Sequence, residues 1–509
     1  MNYIWYDITV LLVYFVSIVS IGLYAGRKQK NLEDFALGSR KMPWWAVLFS
    51  IIAAETSAAT FVGVPAESFQ LRNFTYIQLA FGMILARILV SYLFIKPYYD
   101  YKVYSIYEFL TVRFGTKTKN MGSVVFLITR LLASGVRIYM AAVIIVVAYN
   151  FITHTTPNLL QYLIAIAMIS FITALYTIIG GIKAVIWTDV IQATVMFSGA
   201  VAAIIIIFFM IPDGWSGIKA STNNFEGFKI IDWGFSSGDS LSEIFKKLLT
   251  TNYTIFSAMI GMTFLTLATH GTDQDMVQRM LTAKDYKKAR FAVVMSGIAD
   301  IPIVLVFLTI GYLLYAYFSS LPDPNLPETT NEVFPYFIIN YIPVGIRGLI
   351  IAGIFSTAMG SLSTAMNALA TSFAKDFYIP YFKREASDKH YVKATRIITG
   401  VMTFLLTGIA VITAYWVMKN PETTMISIAL SIITYTYGAL LGVFLLGITT
   451  KNRGSDKGNA VAMICGFLSV ILIKIFTPVS WIWFIFIGTL VTYSSGAIFK
   501  TNLKINNSI

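Results

Sequence analysis

Apolar stretches of about twenty residues, parted by short polar loops, recur along the whole chain. That is the length a helix needs to cross ~30 Å of hydrocarbon. About thirteen spans are expected on this rule, near 5–25, 43–70, 74–97, 121–153, 160–180, 184–211, 253–280, 291–318, 345–378, 393–415, 423–447, 457–477 and 479–498. The expected fold class is an all-α polytopic membrane protein. Two stretches are interrupted. In 43–70 the middle reads AAETSAAT, small and polar, and carries Glu55. In 253–280 the run is broken by Thr263, Thr266, Thr269, His270, Gly271 and Thr272. Irregular polar backbone survives at membrane depth only where it is buried or lines a cavity. Discontinuous helices of this kind build the midplane sites of secondary transporters.

The interrupted stretches open two runs of five spans each. An odd number of spans inverts the second copy relative to the first, so inverted repeats are expected. Within a single transporter domain, 1–509, the pattern gives a leading helix and loop (1–42), a first repeat (43–211) and an outer loop (212–252). A second repeat (253–447) and two trailing helices with a short tail (448–509) complete it. The loops 212–252 and 319–344 are long enough to act as lids over an outer mouth.

Composition agrees with a membrane reading: 57% of residues are hydrophobic and 12% charged, against about 25% charged in soluble domains. The net charge of +13 is not a nucleic-acid signal, because its lysines and arginines collect in alternate loops. Among them are Arg27, Lys28, Arg40, Lys117, Lys183, Lys288, Lys389, Lys451 and Lys504. Basic loops face the cytoplasm, which puts the N-terminus outside and the C-terminus inside the plasma (inner) membrane. The first run lacks a basic leader and a small-residue cleavage site, so it reads as a span of the mature chain. Cys465 is the sole cysteine, excluding an intrachain disulfide. His154, His270 and His390 show no metal-site spacing, and no nucleophile–base pattern suggests an enzyme. The expected partners are the lipid bilayer, a small solute and its coupling ion, with no other cofactor, and the chain reads as functional as a monomer.

Charges inside spans are costly, at least ~2.5 kcal/mol each at a helix centre, and mark functional sites with partners. Glu55 either binds solute hydroxyls or an ammonium, pairs with Arg137 or Arg130, or is structural. Arg87 and Asp300 either pair with each other or join that network. Asp189, in TDVIQ, needs a partner too. Thr357, Ser361 and Thr364 stand at i, i+4 and i+7, on one helical face. They offer oxygen ligands to a hard cation, or they only let helices pack closely. His270 either titrates near neutral pH or is a satisfied hydrogen-bonding residue. Gly180 and Gly181 suit a tight turn between spans five and six. Phe61, Tyr435 and Tyr437 are candidate gates.

ALYTIIGGIKAVIWTDVIQ (174–192), GTDQDMVQR (271–279), SIYEFLTVRFG (105–115) and RGLIIAGIFSTAMGSLSTAMNALATSFAKDFY (347–378) resemble motifs of the sodium:solute symporter family. The resemblance spans roughly 5–498. It implies a LeuT-like fold and sodium-driven symport by alternating access. It also implies a sodium site made by carbonyls of Ala53, Thr56, Thr357 and Gly360 and the Ser361 hydroxyl. Many relatives carry a hydroxyl residue where this chain has Gly360. Asp189 would lie on the sodium exit path and, with Ser363 and Thr364, would form the second sodium site some members have. The solute would meet Glu55, Ser57 and Thr60 in the first break and Thr266, Thr269 and His270 in the second. The Asn and aromatic side chains of sugar-carrying relatives are absent there. The arginine that holds a carboxylate in the sialic-acid branch matches Ala133, but Arg130 and Arg137 flank that position on the same helical face. Arginine suits bidentate carboxylate binding. The solute expected is a sugar acid, sialic acid, carboxylate or polyol. The rivals are a proton-coupled carrier using Asp189, Glu55 or His270, and an uncoupled channel or sensor.

Overall fold

The computed structural model describes residues 4–27, 29–153, 155–419 and 425–500. Lys28, His154, Lys504 and the start of the span expected at 423–447 lie outside them. Every regular element among the described residues is a helix. Those that position the site are α1 (Ile4–Gly26), α2 (Trp44–Glu55), α3 (Ala58–Leu71), α4 (Gln78–Leu93), α5 (Thr116–Thr153), α6 (Leu159–Met210), α7 (Thr263–Gly271) and α8 (Gln274–Met280). They continue with α9 (Tyr286–Ser320), α10 (Ile346–Phe373), α11 (Asp388–Lys419), α12 (Met425–Thr449), α13 (Asp456–Phe476) and α14 (Phe484–Ile498).

Ten helices among the described residues are long and apolar enough to cross a membrane, or eleven if α2 and α3 make one bent span. The expected count of about thirteen goes beyond this. It requires α6 to cross twice and the polar stretch around α7 to cross once.

The interruption in 43–70 is a true break. Pro43, with φ −68°, starts α2 without an amide donor to satisfy. The helix stops at Glu55 because Thr56 (ψ 90°) and Ser57 (ψ 168°) are extended. The chain then restarts as α3, bent by 61° from α2.

The second organising feature is Gly181. At 52 residues, α6 would be about 78 Å long if straight, more than twice the hydrocarbon thickness. It breaks at Gly181, which has φ 55° and ψ −157°. Only glycine adopts this region readily. A Cβ there would also lie 2.7 Å from the Phe35 carbonyl oxygen, which belongs to backbone and cannot swing away. Gly181→Ala is therefore expected to destabilise the protein by about 1–3 kcal/mol. Thermal melting of the purified variant, followed by size-exclusion chromatography, measures this; an unchanged melting point would refute the assignment.

The molecule is built around α10. Nearly nine tenths (89%) of its apolar window is buried, against 17% in α1, 28% in α13 and 33% in α11. It packs against α6, α5 and α2. The peripheral helices present Val16, Phe404, Ile412 and Ile475 outward, each more than half exposed, as suits a lipid-facing surface. In the long loop 319–344, Thr330–Tyr341 is helical and packs against α3 and α5. Phe334 stacks on Phe61, 5.7 Å between ring centroids.

Candidate functional site

The break between α2 and α3 faces the middle of α10. A helix leaves its last carbonyls without amide partners; here these belong to Ala53, Ala54 and Glu55. Ser361 of α10 donates to the Ala54 carbonyl at 3.4 Å. Next to it, a Cβ on Gly360 would lie 3.4 Å from the Ala53 carbonyl oxygen, 3.0 Å from Gln192 Oε1 and 3.6 Å from Asp189 Oδ1. The bare backbone of Gly360 thus opens onto three oxygens. Both Asp189 Oδ1 and Gln192 Oε1 are buried and lack a hydrogen-bond partner among the described residues. The remaining hydroxyls turn inward on their own helix. Thr357 donates to Ile354 at 2.7 Å, Ser363 to Gly360 at 3.1 Å, and Thr364 to Gly360 and Ser361 at 3.0 Å each. Thr56 lies in the break, with its amide donating to the Ile52 carbonyl. An oxygen-rich, buried pocket of this kind suits a hard monovalent cation.

Beside it lies a cavity of ≈ 300 Å³. Glu55, Ser57, Thr60, Arg130, Arg137, Thr266, Thr269 and His270 all line it. The two breaks therefore meet across one space.

Among the described residues Glu55 pairs with neither arginine of α5. Glu55 Oε1 is held by Arg87 Nη2, and His270 Nε2 lies 2.7 Å away from it. The other amino group of Arg87 holds Asp300. The reason is tertiary. Arg87, fully buried on α4, reaches both the end of α2 and the face of α9. His270 approaches from α7, its Nδ1 3.2 Å from the Thr266 carbonyl oxygen. The Glu55 pairing with Arg130 or Arg137 is thus corrected, while Arg87 and Asp300 do pair and do join the same network.

Arg130 is engaged elsewhere. It pairs with Asp273, and with Asp275 at 3.2 Å. Tyr437 also donates to Asp273, at 2.6 Å. From Asp275 the network continues to Arg279 at 3.0 Å. Arg279 Nε donates to Ser50 at 2.9 Å and stands 3.6 Å from Asp189, whose Oδ2 accepts from Ser50 at 2.5 Å. This buried chain of charges joins the cavity to the oxygens beside Gly360. Sequence reasoning missed it, although Asp273, Asp275 and Arg279 all stand in the quoted motif at 271–279, and Gln192 follows Asp189 by three residues.

Arg137 differs. It lines the cavity, yet makes no hydrogen bond or ion pair among the described residues. Of the proposed gates, Tyr437 belongs to the charge chain and Phe61 to the packing under Thr330–Tyr341. Tyr435 stacks on Phe484 of α14.

The model of the sodium:solute symporter family matches residues 35–466. The sodium/sialic acid symporter NanT of Aliivibrio fischeri is 27% identical over 505 residues, covering 97% of this chain and 93% of the relative. SiaT of Proteus mirabilis, also a sodium/sialic acid symporter, is 28% identical, covering 96% and 93%. Human sodium-coupled monocarboxylate transporter 1 is 26% identical, covering 92% of this chain and 72% of that one. Among solved structures, the substrate-bound outward-open state of a Na+-coupled sialic acid symporter superposes with a TM-score of 0.81 at 26% identity, covering 97% of each chain. These relatives are transporters, not enzymes, and sodium is their coupling ion. With this match over most of its length, the chain belongs to the sodium:solute symporter family as an integral membrane transporter.

Proposed function

We propose that this sodium-coupled symporter imports a small polar solute bearing a carboxylate, which docks on Arg137 while sodium binds between the first break and α10. The observation that carries the reading is the contrast between Arg137 and the arginines Arg87, Arg130 and Arg279. Arg87, Arg130 and Arg279 are each matched by carboxylates of the chain. Arg137 faces the cavity without one among the described residues. A guanidinium there is suited to a carboxylate brought by the solute. Relatives named for sialic acid and for monocarboxylates are consistent with an acid. The hydroxyls of Ser57, Thr60, Thr266 and Thr269 suit a solute rich in hydrogen-bonding groups.

Sodium is assigned to the oxygens around Gly360: the carbonyls of Ala53, Thr56, Thr357 and Gly360 and the Ser361 hydroxyl. Asp189, Ser363 and Thr364 serve as its release path or as a second site. Binding there orders the broken end of α2, the same segment that shapes the solute cavity through Glu55 and Ser57. Sodium and solute then strengthen each other's binding reciprocally. In the proposed topology, 43–211 and 253–447 are inverted repeats among about thirteen spans. The N-terminus lies outside, the C-terminus in the cytoplasm, and the monomer is the working unit.

The test is thermal stability of the purified protein against a library of organic acids and polyols, in sodium chloride and in potassium chloride of equal ionic strength. A bound ligand stabilises by mass action. An acid that raises the melting point only with sodium identifies the solute and the coupling together. Stabilisation equal in both salts would favour the proton-coupled or uncoupled alternative. Ser361→Ala is expected to raise the sodium concentration for half-maximal uptake by about 3- to 10-fold, the effect of losing one polar contact. An unchanged sodium dependence would remove Ser361 from the site.

A further inference from the structure

The cavity has a second chemical character, carried by segments other than Arg137's helix. They contribute Glu67, Tyr76, Tyr253 and Trp481 to its lining. Glu67 is half-buried on α3 and forms no ion pair among the described residues. Its contact is a long one, from the Tyr253 hydroxyl at 3.4 Å. The Tyr76 and Tyr253 rings stand 5.5 Å apart at 60°. Trp481 packs into the same small apolar cluster as both tyrosines.

Three separate chain segments form this corner, and they are pinned together by buried polar contacts. Gln78 is fully buried; its amide donates to the carbonyls of Thr75 (3.0 Å) and Tyr253 (3.2 Å), and its oxygen accepts from Asp232 at 3.1 Å. The segment before Trp481 is fixed by Ser480, whose amide donates to Leu249 and whose hydroxyl donates to Asn252 at 2.5 Å. The rings and the carboxylate are thus held on a braced frame.

We propose that this corner is a binding site for an organic ammonium group. Faces of tyrosine and tryptophan attract cations, most strongly alkylated ammonium ions that carry little water. A half-buried carboxylate without a counter-ion among the described residues supplies the charge that a neutral aromatic pocket lacks. An inorganic cation prefers several oxygen ligands, and this corner offers one carboxylate and two phenols. With Arg137 in the same cavity, the transported solute then carries a carboxylate at one end and a cationic nitrogen at the other. That last step rests on the carboxylate reading of Arg137; the ammonium site does not.

The test uses the full-length protein in constant sodium chloride, with thermal stabilisation as readout. Tetramethylammonium chloride is titrated against tert-butanol, a neutral solute of similar bulk. Saturable stabilisation by tetramethylammonium alone is expected. Its half-saturating concentration should rise about tenfold in Glu67→Gln, where the charge is lost. In Trp481→Leu it should rise by about threefold or more, and Trp481→Phe should retain most of the binding. Equal responses to the two probes, or Glu67→Gln binding like the wild type, would overturn the proposal. So would a Glu67→Gln protein whose sodium titration shifts while its tetramethylammonium titration does not; the corner would then be an entry point for the inorganic ion. Should Glu67→Gln fail to fold, the pair of Trp481 variants decides alone. ω-Trimethylammonio carboxylates of increasing chain length separate this site from the carboxylate reading. One of them should stabilise at least about tenfold better than its plain carboxylate, through effective concentration, and lose that advantage in Glu67→Gln. If plain carboxylates fail in the wild type while tetramethylammonium binds, the Arg137 reading falls and the ammonium site stands.

Discussion

Arg87→Ala is expected to destabilise the protein by about 3–5 kcal/mol, the effect of removing one partner from a buried ion pair. Folded domains hold about 5–15 kcal/mol in all, so most of the variant should fail to reach the membrane folded. Arg87 is fully buried and is the cation shared by Glu55 and Asp300. Without it, two carboxylates lie in a low-dielectric interior with no guanidinium between them, Glu55 keeping only its contact with the His270 ring. The damage is also topological. Arg87 ties the end of α2 to α9, and Glu55 in turn meets α7, so the four helices around both breaks lose a common anchor. Arg87→Lys keeps the charge but lacks the fork that reaches two carboxylates at once, and should recover only part of the loss. Adding Glu55→Gln and Asp300→Asn to Arg87→Met removes the stranded charges and should restore folding, though not transport. Fluorescence-detected size exclusion of tagged variants reads all three. An Arg87→Ala protein as stable as the wild type would show that the network is not needed for folding.

The pattern of the sequence foretold this region's place better than its wiring. A polar octet inside an apolar run was enough to locate the break, because backbone at membrane depth tolerates such residues only beside a cavity. Gly180 and Gly181 marked the turn, and the structure puts the break at Gly181. The polar residues nominated from the two breaks, with Arg130 and Arg137, all line one cavity. Beyond the Arg87–Asp300 pair, pairing was illegible because it is tertiary. Nothing local says that Arg87, on a third helix, will arrive between Glu55 and Asp300. Nor does spacing reveal that Arg130 and Arg137, on one face of α5, will have unlike surroundings. Asp273 and Asp275 decide that, and they stand in a motif that was read as a family signature rather than as chemistry. The span count reached beyond what length and apolarity establish for the same reason. The stretch around α7 is polar where it serves the site, so it fails the test that ordinary spans pass.

Arg137→Ala should do the opposite of Arg87→Ala: leave the empty protein folded and remove uptake. Arg137 pairs with no carboxylate among the described residues, so its loss strands no partner among them. It lies two turns from Arg130 on the same helix, and removing one of two like charges relieves repulsion. The melting point without solute should therefore stay level or rise slightly, and sodium should still stabilise the variant. Uptake should fall steeply. Truncating one side of a buried, hydrogen-bonded charge pair costs about 2–5 kcal/mol, and each 1.4 kcal/mol is about tenfold in affinity. A loss of at least about 30-fold in the apparent affinity for the acid follows. Arg137→Lys keeps the charge as a point source without bidentate geometry, and should fall between the two. Arg130→Ala is the contrast, since it leaves Asp273 and Asp275 short of a cation and should fail by misfolding. Equilibrium binding of the acid identified in the stability screen, measured with and without sodium, separates these cases. If Arg137→Ala binds that acid as the wild type does, the carboxylate is held elsewhere and the reading of the cavity is wrong. If it loses both the acid and the sodium response, Arg137 acts through the shape of the first break rather than by touching the solute.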